Sequence, residues 1–173
     1  MAYPYSNPAA TAAEEHIWQA LEEVKDPEIP VVSVVGMGIV REVSLEHNQV
    51  RVRFTPTFSG CPALEVMRRD IRERLEQLGF APEAIAVETM LSPPWSSDWI
   101  RDDAREALWR YGIAPPEKSG GSGLMQLESP PPACPRCGSL QASLKNSFGP
   151  TLCKAIYVCQ ACLEPFEAFK QVG

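Results

Sequence analysis

Six cysteines carry most of the chemistry that this 173-residue chain can offer. Four of them stand in two C-x-x-C pairs, Cys134-Pro135-Arg136-Cys137 and Cys159-Gln160-Ala161-Cys162, with 21 residues between them, Gly138 to Val158. A C-x-x-C turn presents two sulfurs from one tight knuckle. Two such knuckles on short β-hairpins close a tetrahedral thiolate site, which Zn²⁺, having no geometric preference of its own, accepts. The spacing predicts a structural zinc site made by Cys134, Cys137, Cys159 and Cys162. Tyr157, Val158, Phe166 and Phe169 supply a small apolar sheet around it. A module of this size buries too little to hold itself together, so a metal cross-link has a physical purpose.

An electron-transfer iron site of the rubredoxin type is the competing reading of the same quartet. Such sites resemble a glycine after each knuckle; Gly138 follows the first here, but Leu163 follows the second, which favours zinc. Cys153, just before the second pair, reads as a small buried side chain, with metal ligation as the alternative.

Cys61 stands alone, far upstream. Pro62 suits the first position of a helix, which makes Cys61 the expected N-cap. A thiolate there faces unpaired amides and the positive end of the helix dipole, so its pKa is expected to fall, with an inert N-cap cysteine inside a core as the alternative. Thr57 and Ser59 add hydroxyl donors, and Asp26 and Glu28 sit on another loop that would have to converge on Cys61. Cysteine-protease chemistry lacks a base: the two histidines are His16, on a helix face, and His47, in a turn. Arg68, Arg69, Arg72 and Arg74 interleave with Glu65, Asp70, Glu73 and Glu76, the pattern of a salt-bridged, solvated helix face. Trp95, Trp99 and Trp109 read as packing residues, with a docking surface as the alternative.

Particular elements must position these groups. Thr11-Ala-Ala-Glu14 has capping-box spacing, and Ile17, Leu21 and Val24 give the helix behind it an apolar stripe that ends near Lys25. Asp26-Pro27-Glu28-Ile29-Pro30 is a rigid turn. Ile39 to Leu45 and Val50 to Phe54 read as strands of a hairpin turning at His47-Asn48. After a loop from Thr55 to Gly60, Leu64, Met67, Ile71, Leu75 and Leu78 mark a second helix stopped by Gly79. Ile85, Val87, Thr89 and Leu91 alternate as a third strand, giving a strand–helix–strand crossover. A short helix runs from about Asp98 to Tyr111, with Gly112 at its end. Ala114 to Ala133, rich in Pro, Gly and Ser, has the composition of a linker.

The expected class is therefore α+β: an α-β-β-α-β domain with an extra helix over 1–112, a linker over 113–133 and a β-rich four-cysteine ribbon over 134–173. Composition excludes several functions. With 45% hydrophobic and 22% charged residues the chain is ordinary globular protein. Its longest apolar run, Val31 to Val40, holds ten residues and is too short for a bilayer, so no membrane role is expected. The first ten residues lack a basic segment and an apolar core, which makes the cytoplasm the default compartment. A net charge of −6 argues against nucleic acid as a partner. The ribbon segment alone carries +2, but four thiolates around one divalent cation bring it to zero.

Three stretches resemble a known family. DPEIP after an N-terminal helix, Gly36-Met37-Gly38-Ile39-Val40 leading into a strand, and GCP at a helix start look like the SufT-like domain of iron–sulfur assembly factors. The junction of that domain with CPRCGS and a second CxxC is similar to the D-subunit family of bacterial phenylacetyl-CoA epoxidase systems, which act in phenylacetate catabolism. SPPWSSDWI, YGIAPP and SFGPTLCKAIYVCQACLEPFEAFK carry that likeness, from roughly Ala12 to Lys170. The resemblance implies a non-catalytic accessory factor that assists iron–sulfur cluster assembly or insertion. It implies the epoxidase reductase subunit as client, with oxygenase subunits as a second choice, and the iron–sulfur assembly machinery as a further partner. It also implies a transient iron–sulfur cluster or iron as cargo. The positions it assigns to handover are Asp26, Glu28, Cys61, Pro62 and Thr57. FTPTFSGCP is longer than the loop usual in such domains, which leaves Thr55 open beside Thr57. The alternatives are a structural or regulatory subunit of the oxygenase complex and an electron carrier using the ribbon metal.

Overall fold

The computed structural model describes residues 11–58, 60–118 and 130–172. The chain divides into two compact units, Met1–Trp95 and Ser96–Gly173. The first unit opens with helix α1, Ala12–Leu21. Its capping box forms as the sequence requires: Thr11 Oγ1 accepts from the Glu14 amide, and Glu14 returns a carboxylate oxygen to the Thr11 amide at 2.8 Å. The other Glu14 oxygen accepts from the Leu45 amide at 3.1 Å, so one side chain ties the helix start to the hairpin.

That hairpin is β1, Val40–Glu46, and β2, Gln49–Phe54, paired antiparallel. His47 and Asn48 both have positive φ, as a two-residue turn between right-twisted strands demands. Helix α2, Leu64–Gln77, leads to β3, Ile85–Thr89, which runs parallel to β2 and completes the order β1-β2-β3. Val50, Val52 and Phe54 of β2 point inward, and Met67, Ile71 and Leu75 of α2 are buried. Helix α1 packs on β1 and α2, and α2 packs on β3.

Much of the first unit's core is loop. Val32, Val34, Val35, Met37 and Ile39 are buried within a chain of turns rather than in a strand. Buried backbone needs partners. Here the Val34 amide donates to Val24, the Met37 amide to Ser33, and the Met37 carbonyl accepts from Trp95 Nε1 at 3.0 Å.

The second unit takes in the helix that the sequence assigned to the end of the first domain. Helix α3, Asp102–Tyr111, ends on Gly112 at φ 95° and is followed at once by β4, Ile113–Ala114. This strand pairs parallel with β7, Pro165–Phe169. Residues expected to be linker thus enter the ribbon sheet, because Ile113 and Ala114 are apolar and supply an edge for β7. Helix α3 packs on β4. Strands β5, Ala142–Asn146, and β6, Lys154–Cys159, complete the order β4-β7-β6-β5. At the β5–β6 turn a Cβ on Gly149 would lie 3.1 Å from the Lys154 carbonyl oxygen, so only glycine fits without a shift. The interior holds Ala114, Cys134, Cys159, Phe166 and Ala168.

The structure begins α2 at Leu64, with Ala63 as N-cap, rather than at Cys61. Pro62 and Ala63 form a turn ahead of the helix, closed by the Leu64 amide on the Cys61 carbonyl at 3.2 Å. Among the described residues no helix is long and apolar enough to cross a membrane.

Candidate metal centre and the Cys61 turn

The knuckles of the second unit bring Cys134, Cys137, Cys159 and Cys162 together with all four sulfurs within 4.8 Å of one another. Cys134 Sγ lies 3.8 Å from Cys162 Sγ, and Cys137 Sγ lies 3.6 Å from Cys159 Sγ. A regular tetrahedron of thiolates about 2.3 Å from a central Zn²⁺ has edges of about 3.8 Å. The donor set and its spacing therefore fit one tetrahedral metal ion. Among the described residues no other set of three or more His, Cys, Asp or Glu side chains gathers this way.

Backbone geometry explains the knuckles. The Gly138 amide donates to the Cys134 carbonyl at 2.8 Å and the Leu163 amide to the Cys159 carbonyl at 3.1 Å. The residue after each knuckle is left-handed, Gly138 at φ 74° and Leu163 at φ 63°. Amides of Cys162 and Ala161 aim at the Cys159 sulfur and bring its thiol down to about 6, which readies a thiolate for a cation. Cys162 receives the Glu164 amide, yet burial and the three neighbouring sulfurs push it up to about 12. Cys134 and Cys159 are buried, while Cys137 is exposed. Cys153 is buried outside this group, 3.1 Å from Thr151 Oγ1.

The first unit's cysteine occupies a different setting. Cys61 is half-buried between two successive turns, its amide on the Phe58 carbonyl and its carbonyl accepting from Leu64. Asp26 is buried, and its Oδ1 accepts from the amides of Glu28 at 2.8 Å and Ile29 at 2.9 Å, which fixes the DPEIP turn. Both carboxylates lie close enough to act on the charge of Cys61, and the electrostatic outcome is the reverse of the expected fall. Burial pushes the Cys61 thiol above its usual value, and Glu28 and Asp26 add repulsion, so that together they outweigh the opposing amides of Ala63 and Leu64.

Pro62 is exposed and Thr57 half-buried, so both are accessible beside Cys61 in sequence. Thr55 is buried, its amide donating to Ile39, and its hydroxyl has no partner among the described residues. Ser59 lies outside the described residues. His16 and His47 are exposed. The α2 arginines are matched by acids or carbonyls: Arg69 by Asp70 and Glu73, Arg74 by Glu23, Arg72 by the carbonyls of Pro82 and Ile85. Sequence reasoning missed the Ser33 hydroxyl, which links Glu22 at 2.6 Å to the Gly36 amide at 2.8 Å and ties α1 to the buried turns. A serine inside an apolar run was the available signal.

Fold and sites together define a class: a small α+β domain of the iron–sulfur-assembly type joined to a four-cysteine β-ribbon. A family model described as "Iron-sulfur cluster assembly protein" matches residues 14–87, and one described as "PaaD zinc beta ribbon domain" matches residues 119–170. The chain is 44% identical over 154 residues to the D subunit of the putative 1,2-phenylacetyl-CoA epoxidase of Escherichia coli, covering 89% of this chain and 90% of that protein. It is 32% identical over 98 residues to "Fe-S protein maturation auxiliary factor YitW" of Bacillus subtilis, covering 56% of this chain and 94% of that one. The crystal structure of a domain of unknown function, DUF59, from Bacillus anthracis is 32% identical with a TM-score of 0.51, covering 56% of this chain and 92% of that chain. The chain belongs to the family of phenylacetyl-CoA epoxidase D subunits.

Proposed function

We propose that this protein is a non-catalytic, cytoplasmic accessory factor of a phenylacetyl-CoA epoxidase system. Its first unit assists assembly or insertion of an iron–sulfur cluster, and its second unit is held by structural Zn²⁺. The observation that carries the reading is a half-buried lone Cys61 whose charge is acted on by Asp26 and Glu28, in a domain like that of Fe–S maturation auxiliary factors. One thiolate cannot enclose a cluster, and among the described residues Cys61 belongs to no group of three or more ligating side chains. Coordination positions left to the donor or the client suit transfer rather than storage. A raised thiol pKa serves the same end: Cys61 stays protonated in the resting protein and gives up its proton when an Fe ion compensates the charge. Asp26 shapes the turn, Glu28 adds a carboxylate whose charge acts on Cys61, and the exposed Pro62 and half-buried Thr57 flank Cys61 in sequence.

The client in this reading is the iron–sulfur reductase subunit of the epoxidase. The test is cluster content of reductase produced with the wild-type chain, with Cys61→Ser, and without the chain. Cys61→Ser is expected to reduce occupancy as far as omission does. Full occupancy with Cys61→Ser would refute handover through Cys61. The relative's designation as a subunit favours a second reading, a stable structural component of the oxygenase complex. Stoichiometric co-purification with active oxygenase, together with Cys61-independent reductase maturation, would establish that reading instead.

A further inference from the structure

Among the described residues seven large apolar side chains are left exposed, and five of them, Leu140, Leu144, Phe148, Leu152 and Leu163, belong to the ribbon, which marks that module as the place to look for a docking surface. Three of these lie in or beside β5, the outermost strand in the order β4-β7-β6-β5. Across the sheet, Phe166 pairs with Tyr157 and Tyr157 with Leu144. The two rings stack with centroids 5.8 Å apart. This row passes from Phe166 at 5% exposure to Leu144 at 53%, so it is built for continuation and ends open at the β5 edge.

Next to Leu144 the register shifts, and Lys145 is the extra residue of the bulge. The other ribbon cations are engaged: Lys154 pairs with Glu167 at 2.6 Å, Arg136 approaches Glu164 at 4.0 Å, and Lys170 donates to the Leu152 carbonyl and sits over the Phe148 ring. Lys145 makes no ion pair or side-chain hydrogen bond with any described residue. A two-fold antiparallel pairing of two such edges about Leu144 would set Lys145 opposite Ser143 of the copy, and β5, Ala-Ser-Leu-Lys-Asn, offers no acid to meet it. The same lysine attracts an acid.

We infer that the β5 edge takes up an extended segment of a partner protein as an added strand, with an apolar side chain continuing the Phe166–Tyr157–Leu144 row and an Asp or Glu beside Lys145. The strand's five residues set the length of the recognised segment at about five to seven residues. This surface lies in the ribbon and is independent of cluster handover by Cys61, so either can fail alone.

The experiment uses the metal-loaded full chain, isotope-labelled for NMR, and two blocked heptapeptides of alternating valine and threonine, one with a central glutamate and the other with lysine. The glutamate peptide is expected to shift the amides of residues 142–146 and to bind at least ten-fold tighter than the lysine peptide. Lys145→Glu is expected to reverse that preference, and Leu144→Asp to abolish binding of both. Lys145 is exposed, so its reversal leaves the fold intact, which retained metal confirms. Equal binding of both peptides, or no binding of either up to millimolar concentration, would overturn the inference. So would self-association in sedimentation equilibrium that Leu144→Asp removes, since the occupant would then be a second copy.

Discussion

Replacing Cys159 with serine probes the ribbon centre where it is deepest. The centre of a regular tetrahedron lies about 0.61 of an edge from each corner, so if all six sulfur pairs, here within 4.8 Å, close to the 3.6 and 3.8 Å of the Cys137–Cys159 and Cys134–Cys162 pairs, a bound metal lies about 2.2 to 2.3 Å from each sulfur. X-ray absorption of the zinc-loaded protein should then show four sulfur neighbours near 2.3 Å and no nitrogen or oxygen. Cys159→Ser should leave three sulfurs and one oxygen at about 2.0 Å. If four ligands share the roughly 10–16 kcal/mol typical of structural zinc, losing one weakens binding by about 3 kcal/mol, on the order of 100-fold. Competition with a chromophoric chelator measures that loss. Cys153→Ser is the control and should leave both shell and affinity unchanged, because Cys153 lies outside the quartet. A nitrogen or oxygen in the wild-type shell, or an affinity indifferent to Cys159→Ser, would refute the four-thiolate assignment.

Alkylation of Cys61 in the zinc-loaded protein, followed by mass spectrometry at pH 7.5, should be slower than for a free thiol, and Glu28→Gln should accelerate it by removing a repelling charge. Because the folded thiol holds its proton more tightly, this group's contribution to stability is lost as pH rises above 9.0, and Cys61→Ser should flatten that decline in urea titrations. Thr11→Ala should destabilise the first unit by about 1 kcal/mol in urea denaturation. Glu14, whose pKa is lowered chiefly by the Thr11 amide, stabilises above pH 4.5 and loses that effect as pH falls through its folded value; Glu14→Gln should remove this part of the acid sensitivity. Leu163→Gly relieves a left-handed leucine and should raise the ribbon's stability by roughly 1 kcal/mol, read as the melting shift of the metal-loaded protein.

Local signals in the sequence located most elements. The Thr11–Glu14 box, the His47-Asn48 turn, the period of α2 and the stops at Gly79 and Gly112 depend on neighbours a few residues apart, and each is found where expected. The cysteine quartet was legible for the same reason, since each knuckle is a four-residue unit. Three features were not. The buried turns around Val34 and Met37 depend on distant partners, Val24 and Trp95, that no local pattern reveals. The pairing of Ile113-Ala114 with β7 joins residues more than 50 positions apart across a Pro- and Gly-rich stretch. The expected fall of the Cys61 thiol rests on the helix dipole, local amides and hydroxyls, whereas burial, which no local pattern reveals, and the charges of Asp26 and Glu28 decide the sign.

The short strand β4 determines where this chain can be cut. Ile113 and Ala114 are 3% and 1% exposed, and they cover one side of β7. A fragment starting at the first knuckle would keep every metal ligand and still lose that cover. Phe166, Ala168 and Phe169 would border a raw backbone rim able to recruit any passing strand. Such a fragment should bind zinc normally and precipitate, whereas one beginning before α3 should stay in solution. Any exchange of ribbons between related chains therefore has its seam near Trp95, well ahead of the cysteines.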